Sequence, residues 1–333
     1  MRALRVGCVG TGFIAGRHLQ ALAGLPDVEV VAVADVQPDR AGQTAARYGA
    51  RAYDDGLALL ATEDLDAVWL CVPPFAHGPL EAAAVARGLP FFVEKPLATD
   101  LPAAQAVADR LAGSGLTTAA GYHWRHLDVV ERAAGLLART PAHLVTGYWW
   151  DRTPGVPWWT QRERSGGQVV EQTTHLFDLA RHLVGEVGSV VAAERAAAEG
   201  AGDVAAAAGA LLRFRSGAVG SISSARVLGR RHRVALHAVA DGLVVEVSER
   251  GLTDHELRIA TADGEEVVRS DQDPIAVEDR EFVDVLLGRV PRVRVPYEEA
   301  LRSHALACAA DRAAREGIRV ELPGGEQGSR STG

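Results

Sequence analysis

The chain has 333 residues, 47% hydrophobic and 23% charged, the composition of a globular protein long enough for about two domains. A net charge of −8 leaves no dominant basic face for nucleic acid, and no apolar run is long enough to cross a membrane. Cys8, Cys71 and Cys308 are odd in number and far apart, so neither a disulfide framework nor a zinc cluster is expected. The N-terminal stretch carries no signal-peptide pattern, and the cytoplasm is the expected compartment.

The first predicted element is the apolar strand Leu4 to Val9, followed by "GTGFIAGRH". Gly10, Gly12 and Ala15 match the dinucleotide-binding fingerprint with alanine in its third place. The first glycine permits a tight turn, the second lets a pyrophosphate approach the backbone, and a small third residue lets helix and strand pack closely. Phe13 and Ile14 open the next helix, whose free N–H groups would meet the phosphates. A second buried strand, "VEVVAVADV", closes at Asp35. A carboxylate there accepts hydrogen bonds from ribose hydroxyls and repels a 2′-phosphate, favouring NAD; Arg40 is near enough to keep NADP open.

Strand-like "DAVWLCVPP", "PFFVEKP" and "LTTAAGYHW" then alternate with helical segments, which implies a doubly wound parallel sheet. Ligands of such sheets bind outside the carboxyl ends of the strands. Pro73, His77, Glu94 and Lys95 fall at those ends and are assigned to the cofactor, with Tyr122 and His123 beside them. Lys95 is the single lysine among 35 basic residues. Arginine cannot readily give up its proton whereas a buried ammonium can, so a lysine retained in so arginine-biased a chain points to chemistry.

Four of the six tryptophans lie in "YWWDRTPGVPWWTQRERSGG". Rings with polar neighbours suit a polyhydroxylated ring, and Trp150, Arg152, Trp158 and Arg164 are assigned to substrate; a tryptophan-rich packing seam is the other reading. The following segment, "SGGQVVEQTTHLFDLAR", reads as a helix with an apolar stripe and a polar row of Glu171, His175 and Asp178. An isolated row of that kind is ordinarily a solvated face. After it, runs such as "AVGSISSARV", "HRVALHAVADG" and "LVVEVSERG", punctuated by glycine turns, predict a meander of strands.

The motifs "GTGFIAGRH", "CVPPFAHGPL", "VEKPLA", "GYHWR" and "GGQVVEQTTHLFDLARHL", in that order, resemble those of the Gfo/Idh/MocA family of nicotinamide-dependent oxidoreductases. The resemblance implies an N-terminal Rossmann domain (1–122) and a C-terminal α/β domain with a large open, mostly antiparallel sheet (123–322); the composition of the tail "PGGEQGSRSTG" (323–333) reads as flexible. The resemblance also implies dimers or tetramers formed through that sheet. It makes Lys95 and His175 the catalytic polar groups, with Glu171 where the family usually has Asp. "GYHWR" replaces the family's common Asn-Arg motif and puts His123 and Trp124 at the pocket. His175 would take a hydroxyl proton while hydride passes to the nicotinamide, and Lys95 would stabilise alkoxide character. Glu171 and His175 are spaced to share a metal, but no third ligand is marked, so none is expected. The substrate implied is a secondary alcohol, or its ketone, on a sugar, sugar derivative or cyclitol. Three other readings stay open: an imine or ketone reductase, a redox-neutral NAD-dependent glycosidase, and a non-catalytic sensor, the last opposed by the presence of both Lys95 and His175.

Overall fold

A computed structural model describes residues 2–251 and 253–324. Most of the sequence-predicted tail, 325–333, lies outside them. Six parallel strands form the first sheet: β1 Leu4–Val9, β2 Val28–Ala34, β3 Arg51–Tyr53, β4 Ala67–Leu70, β5 Phe91–Val93 and β6 Thr118–Ala120, in spatial order β3-β2-β1-β4-β5-β6. Helices on both faces bury the central strands β4 and β5 completely, so these are apolar at every residue instead of alternating. The strand order reverses between β1 and β4, where carboxyl ends diverge to leave a crevice.

The second sheet has nine strands: β7 Leu144–Trp150, β8 Val187–Arg195, β9 Ala207–Phe214, β10 Val219–Ala225, β11 Arg233–Ala240, β12 Leu243–Gly251, β13 Asp254–Thr261, β14 Gly264–Ser270 and β15 Val320–Glu321. Their order is β14-β13-β12-β11-β7-β10-β9-β8-β15, antiparallel except for the β7–β10 pair. The expected pairing of a doubly wound parallel sheet with a large, mostly antiparallel one is what the chain forms. Helices Asp128–Arg139, Thr174–Val184 and Tyr297–Glu316 contribute to the core on one face of the second sheet, where Leu176, Leu179, Leu236, Val245 and Ala307 meet. On the other face Leu144, Trp150 and Leu211 stay exposed.

Packing does not respect a boundary at residue 122. Helix Pro274–Leu286 sends Phe282 and Val283 under the first sheet, beside Trp69 and Phe92. Tyr297 and Ala300, at the start of the final long helix, also join the first core, while its later residues join the second. A buried ionic network pins this crossing. His18 Nδ1 lies 2.8 Å from Asp279 Oδ1 and its Nε2 3.0 Å from Glu94 Oε1, and Trp69 Nε1 donates to Asp279 at 2.8 Å. Burial disfavours charge on His18, but the Asp279 and Glu94 carboxylates outweigh it and hold the imidazole well above its usual value. The network ties the first helix, the segment bearing Lys95 and helix Pro274–Leu286 to one another.

Candidate active site

The glycine turn leaves β1 at Gly10, whose φ is +87°; a Cβ there would stand 2.2 Å from the Cys71 carbonyl oxygen, so only glycine fits. At Gly12 a Cβ would meet nothing within 4 Å, which is open space over the start of helix Phe13–Ala23. That helix has no side-chain cap, so its first N–H groups remain for an anionic ligand. A cavity of about 350 Å³ opens beside Gly12, lined also by Thr11, Phe13, Gly16 and Arg40. The residues present therefore fit a dinucleotide.

Asp35 is buried at the end of β2 and accepts from Thr11 N and Oγ1 and from Gln37 N, all at 2.9 Å, while Arg40 clamps it through Nε at 3.0 Å and Nη2 at 2.7 Å. Burial alone would raise its pKa; the Gln37 and Thr11 N–H groups and Arg40 more than offset this and lower it. A ribose must share this carboxylate with Arg40. Phe13 is 74% exposed at the turn, and Ile14 is half-buried. Pro73 caps the short turn Pro74–Ala76 after β4.

Of the residues assigned to the cofactor, Glu94 is fully engaged elsewhere and His77 in part, its Nε2 being buried with no hydrogen-bond partner among the described residues. His77 Nδ1 is bound to Glu81 at 2.6 Å, and Glu94 is spent on His18 and on the Lys95 backbone N–H. Glu94 acts as a brace under Lys95.

The polar row is not one helix. Gln168–Glu171 forms a single turn, the chain breaks at Gln172 and Thr173, and the helix resumes at Thr174–Val184. The break turns Glu171 toward the first sheet. Lys95 Nζ donates to the Glu171 carbonyl at 2.9 Å and to its Oε1 at 3.2 Å, and Trp159 Nε1 donates to Oε2 at 2.6 Å. One carboxylate thus joins the lysine of one sheet to the segment preceding the helix of the other. Asp178, the third residue of the row, belongs to the interior: it accepts from Arg125 at 2.7 and 2.8 Å and from Ser303 at 2.5 Å.

His175 is buried in a box of aromatic rings. Trp149 stacks on it at 5.7 Å between centroids, Trp124 at 6.4 Å, and His123 meets it edge-on at 4.8 Å. Its Nδ1 is buried without a hydrogen-bond partner. Burial first, then the charge of Lys95, hold the imidazole well below its usual pKa, so it is neutral and able to accept a proton.

Several substrate assignments are corrected. Trp150 points to the opposite face of the sheet, stacked on Tyr148 at 4.4 Å, because side chains alternate along β7; Trp149 is the ring that reaches His175. Trp124 is 1% exposed and its indole N–H is given to Glu249 at 2.8 Å, so it serves as a wall behind His175. Trp158 and Arg164 pack on Phe75, the indole at 6.5 Å and the guanidinium 4.0 Å over the ring, closing the two halves against each other. Arg152 is exposed and bridges through its backbone to Val227. His123 does stand at the site, buried against His175, and burial pushes it down to about 4. Sequence reading assigned no site role to Trp159, Trp149, Arg231, Glu249 or His255. The last two do leave a trace: Leu243, Val245 and Val247 form an inward row on β12 that ends in Glu249, and His255 heads the inward row of Leu257 and Ile259 on β13.

Residues 4–122 match the family described as "Oxidoreductase family, NAD-binding Rossmann fold", and residues 140–243 match the "GFO/IDH/MocA C-terminal domain". The chain belongs to the Gfo/Idh/MocA family. It is 31% identical over 275 residues to an inositol 2-dehydrogenase of Rhizobium meliloti, covering 78% of this chain and 80% of that one. It is 28% identical to a myo-inositol 2-dehydrogenase of Thermotoga maritima, over 74% and 79% of the two chains. The WlbA dehydrogenase from Bordetella pertussis, solved with NADH and UDP-GlcNAcA, superposes with a TM-score of 0.85 at 23% identity over 97% of this chain and 99% of its own. At that identity the superposition speaks for the fold. Family membership and the fitted glycine turn make this chain an NAD-dependent oxidoreductase.

Proposed function

We propose that the chain oxidises a secondary alcohol of a cyclitol or sugar, with Lys95, His175 and Glu171 as the acting residues. The observation that carries the reading is the Lys95 ammonium fixed on Glu171 at 2.9 and 3.2 Å, beside a histidine that its surroundings keep neutral. Bound NAD, held by the turn at Gly10 and Gly12 and by Asp35, supplies the hydride acceptor. A hydroxyl placed between Lys95 and His175 gives its proton to the neutral imidazole. Lys95 donates to the same oxygen as its charge grows, and Glu171 keeps the ammonium in place. Charge–dipole help of this kind counts for more in a dry aromatic box than in water. The substrate class is supported by the inositol dehydrogenases to which the chain is similar.

The reading includes a dimer or tetramer built on the open face of the second sheet, supported by exposed Leu144, Leu211 and Val219, and testable by sedimentation. It also includes the cytoplasm, supported by the buried free thiols of Cys8 and Cys71. The main test follows NADH formation with inositols, hexoses and sugar phosphates, for the wild type and Lys95→Ala. Turnover of one class, lost in the variant, is the expected result. Silence across the panel from protein that binds NADH would refute the substrate class.

A further inference from the structure

Behind the aromatic box lies a second cluster with no part in the steps above. His123, Glu249 and His255 bring one potential ligand atom each to within 4.8 Å of one another, all three side chains buried. Glu249 and His255 are direct cross-strand partners in the β12–β13 ladder, so the sheet itself fixes their separation. His123 arrives from the turn after β6 and spans the two halves of the molecule. Among the described residues, His123 Nε2, both ring nitrogens of His255 and Glu249 Oε1 are buried and make no hydrogen bond, the last being ion-paired with Arg231. His255 Nε2 stands 3.4 Å from Glu249 Oε2 without hydrogen-bond alignment, and Arg231 Nη2 forms an ion pair with Oε1 at 2.7 Å, also off hydrogen-bond alignment. Trp124 Nε1, in contrast, donates to Oε2 at 2.8 Å, the kind of outer contact that orients a carboxylate ligand.

Three orphaned imidazole nitrogens beside a buried carboxylate are costly unless something binds them. Two imidazoles and a carboxylate converging from three backbone segments form the donor set of a divalent transition metal with an open coordination position. We propose that His123, Glu249 and His255 bind a divalent cation of the zinc class, next to His175. The proposal departs from the sequence-based expectation of no metal, and through different residues from the Glu171–His175 pair weighed there. Arg231, 23% exposed, competes for Glu249 and must give way.

The test uses tag-free, full-length protein and reads metal content, independently of turnover. After metal stripping and titration with Zn2+ or Co2+, the wild type is expected to retain one equivalent through gel filtration and to show the intense visible absorption of low-coordinate Co2+. His255→Gln and Glu249→Gln should each weaken binding by at least about tenfold. Arg231→Ala, which removes the competitor and no ligand, should tighten it. If the wild type gives no such Co2+ spectrum and keeps no more zinc than His255→Gln, the site does not exist. Should either Gln variant fail to fold, the wild-type spectrum and Arg231→Ala still decide the matter.

Discussion

Two buried histidine–carboxylate clusters, one around His18 and one around His255, differ in how their polar atoms are used. Around His18, both ring nitrogens and both Asp279 oxygens are in use, and the indole of Trp69 fills a further acceptor position. Around His123, Glu249 and His255, donor after donor is idle, and so is Nδ1 of the adjoining His175. The His18, Asp279 and Glu94 groups spend their polarity on one another and on holding the fold, and the unbonded oxygens beside them are those of Glu278. An open cluster is a liability to the fold and is explained by what it can bind. Buried charge alone would have ranked the two clusters equal; what separates them is the state of the histidine nitrogens, both bonded in His18 and both unbonded in His255.

The largest expected effect falls on the open side. His175→Ala should lower kcat by about 10²–10⁴-fold, the usual worth of a positioned acid–base group. NADH affinity, measured by fluorescence, should stay near wild type because the turn at Gly10 and Gly12 is untouched. Loss of both together would mean that His175 organises the cofactor.

On the closed side the expected effect is on stability. Asp279→Ala leaves the His18 charge and the Trp69 N–H short of an acceptor in the interior, and should cost about 3–5 kcal/mol, read from the denaturation midpoint. His255→Leu in metal-free protein removes a side chain whose nitrogens bond nothing, and should be close to neutral or stabilising. Equal losses in the two variants would break the contrast.

The closed network also predicts a pH dependence with a definite sign. His18 has a folded pKa well above its unfolded one, so its stabilisation is complete below the unfolded value, about 6.5, and fades as pH rises through the folded value. Asp279 and Glu94 face the ring directly. Glu278 lies beside them, and burial raises its pKa too, which adds a slope of the same sign. Above neutrality, melting temperature should therefore fall more steeply for the wild type than for His18→Gln. Parallel curves would mean that His18 is neutral in the folded protein.

What the sequence disclosed follows from which rules are local. Gly10 and Gly12 declare themselves because a turn and an open approach constrain single residues, and Lys95 because its chemistry is unmatched elsewhere in the chain. Helical spacing raised Glu171 and His175 together, yet it missed the break at Gln172 and Thr173 that sends Glu171 to Lys95 and Asp178 to Arg125. Trp149 and Trp150 were exchanged because strand phase is set by the register of β7 against β11, which depends on distant residues. Glu249 and His255 become neighbours only once β12 and β13 pair; before that they are two polar residues ending apolar rows.

Trp159 offers the finest probe of how an engaged carboxylate serves an open site. Its ring is 1% exposed and its N–H holds Glu171 Oε2 at 2.6 Å, leaving Oε1 for Lys95. Trp159→Phe keeps an aromatic filler and removes that donor, so Glu171 gains freedom to turn away from the ammonium. A hydrogen bond to a charged group is worth about 1.5–3 kcal/mol, which sets the expected fall in kcat at roughly 10- to 150-fold. The Trp159 N–H serves Glu171 and neither the glycine turn nor Asp35, so KM for NAD should hold. A merely structural role would instead lower the amount of active enzyme and leave kcat per active site unchanged, which active-site titration distinguishes. If kcat per site survives intact, Lys95 is held by the Glu171 carbonyl at 2.9 Å and needs no help from the side chain.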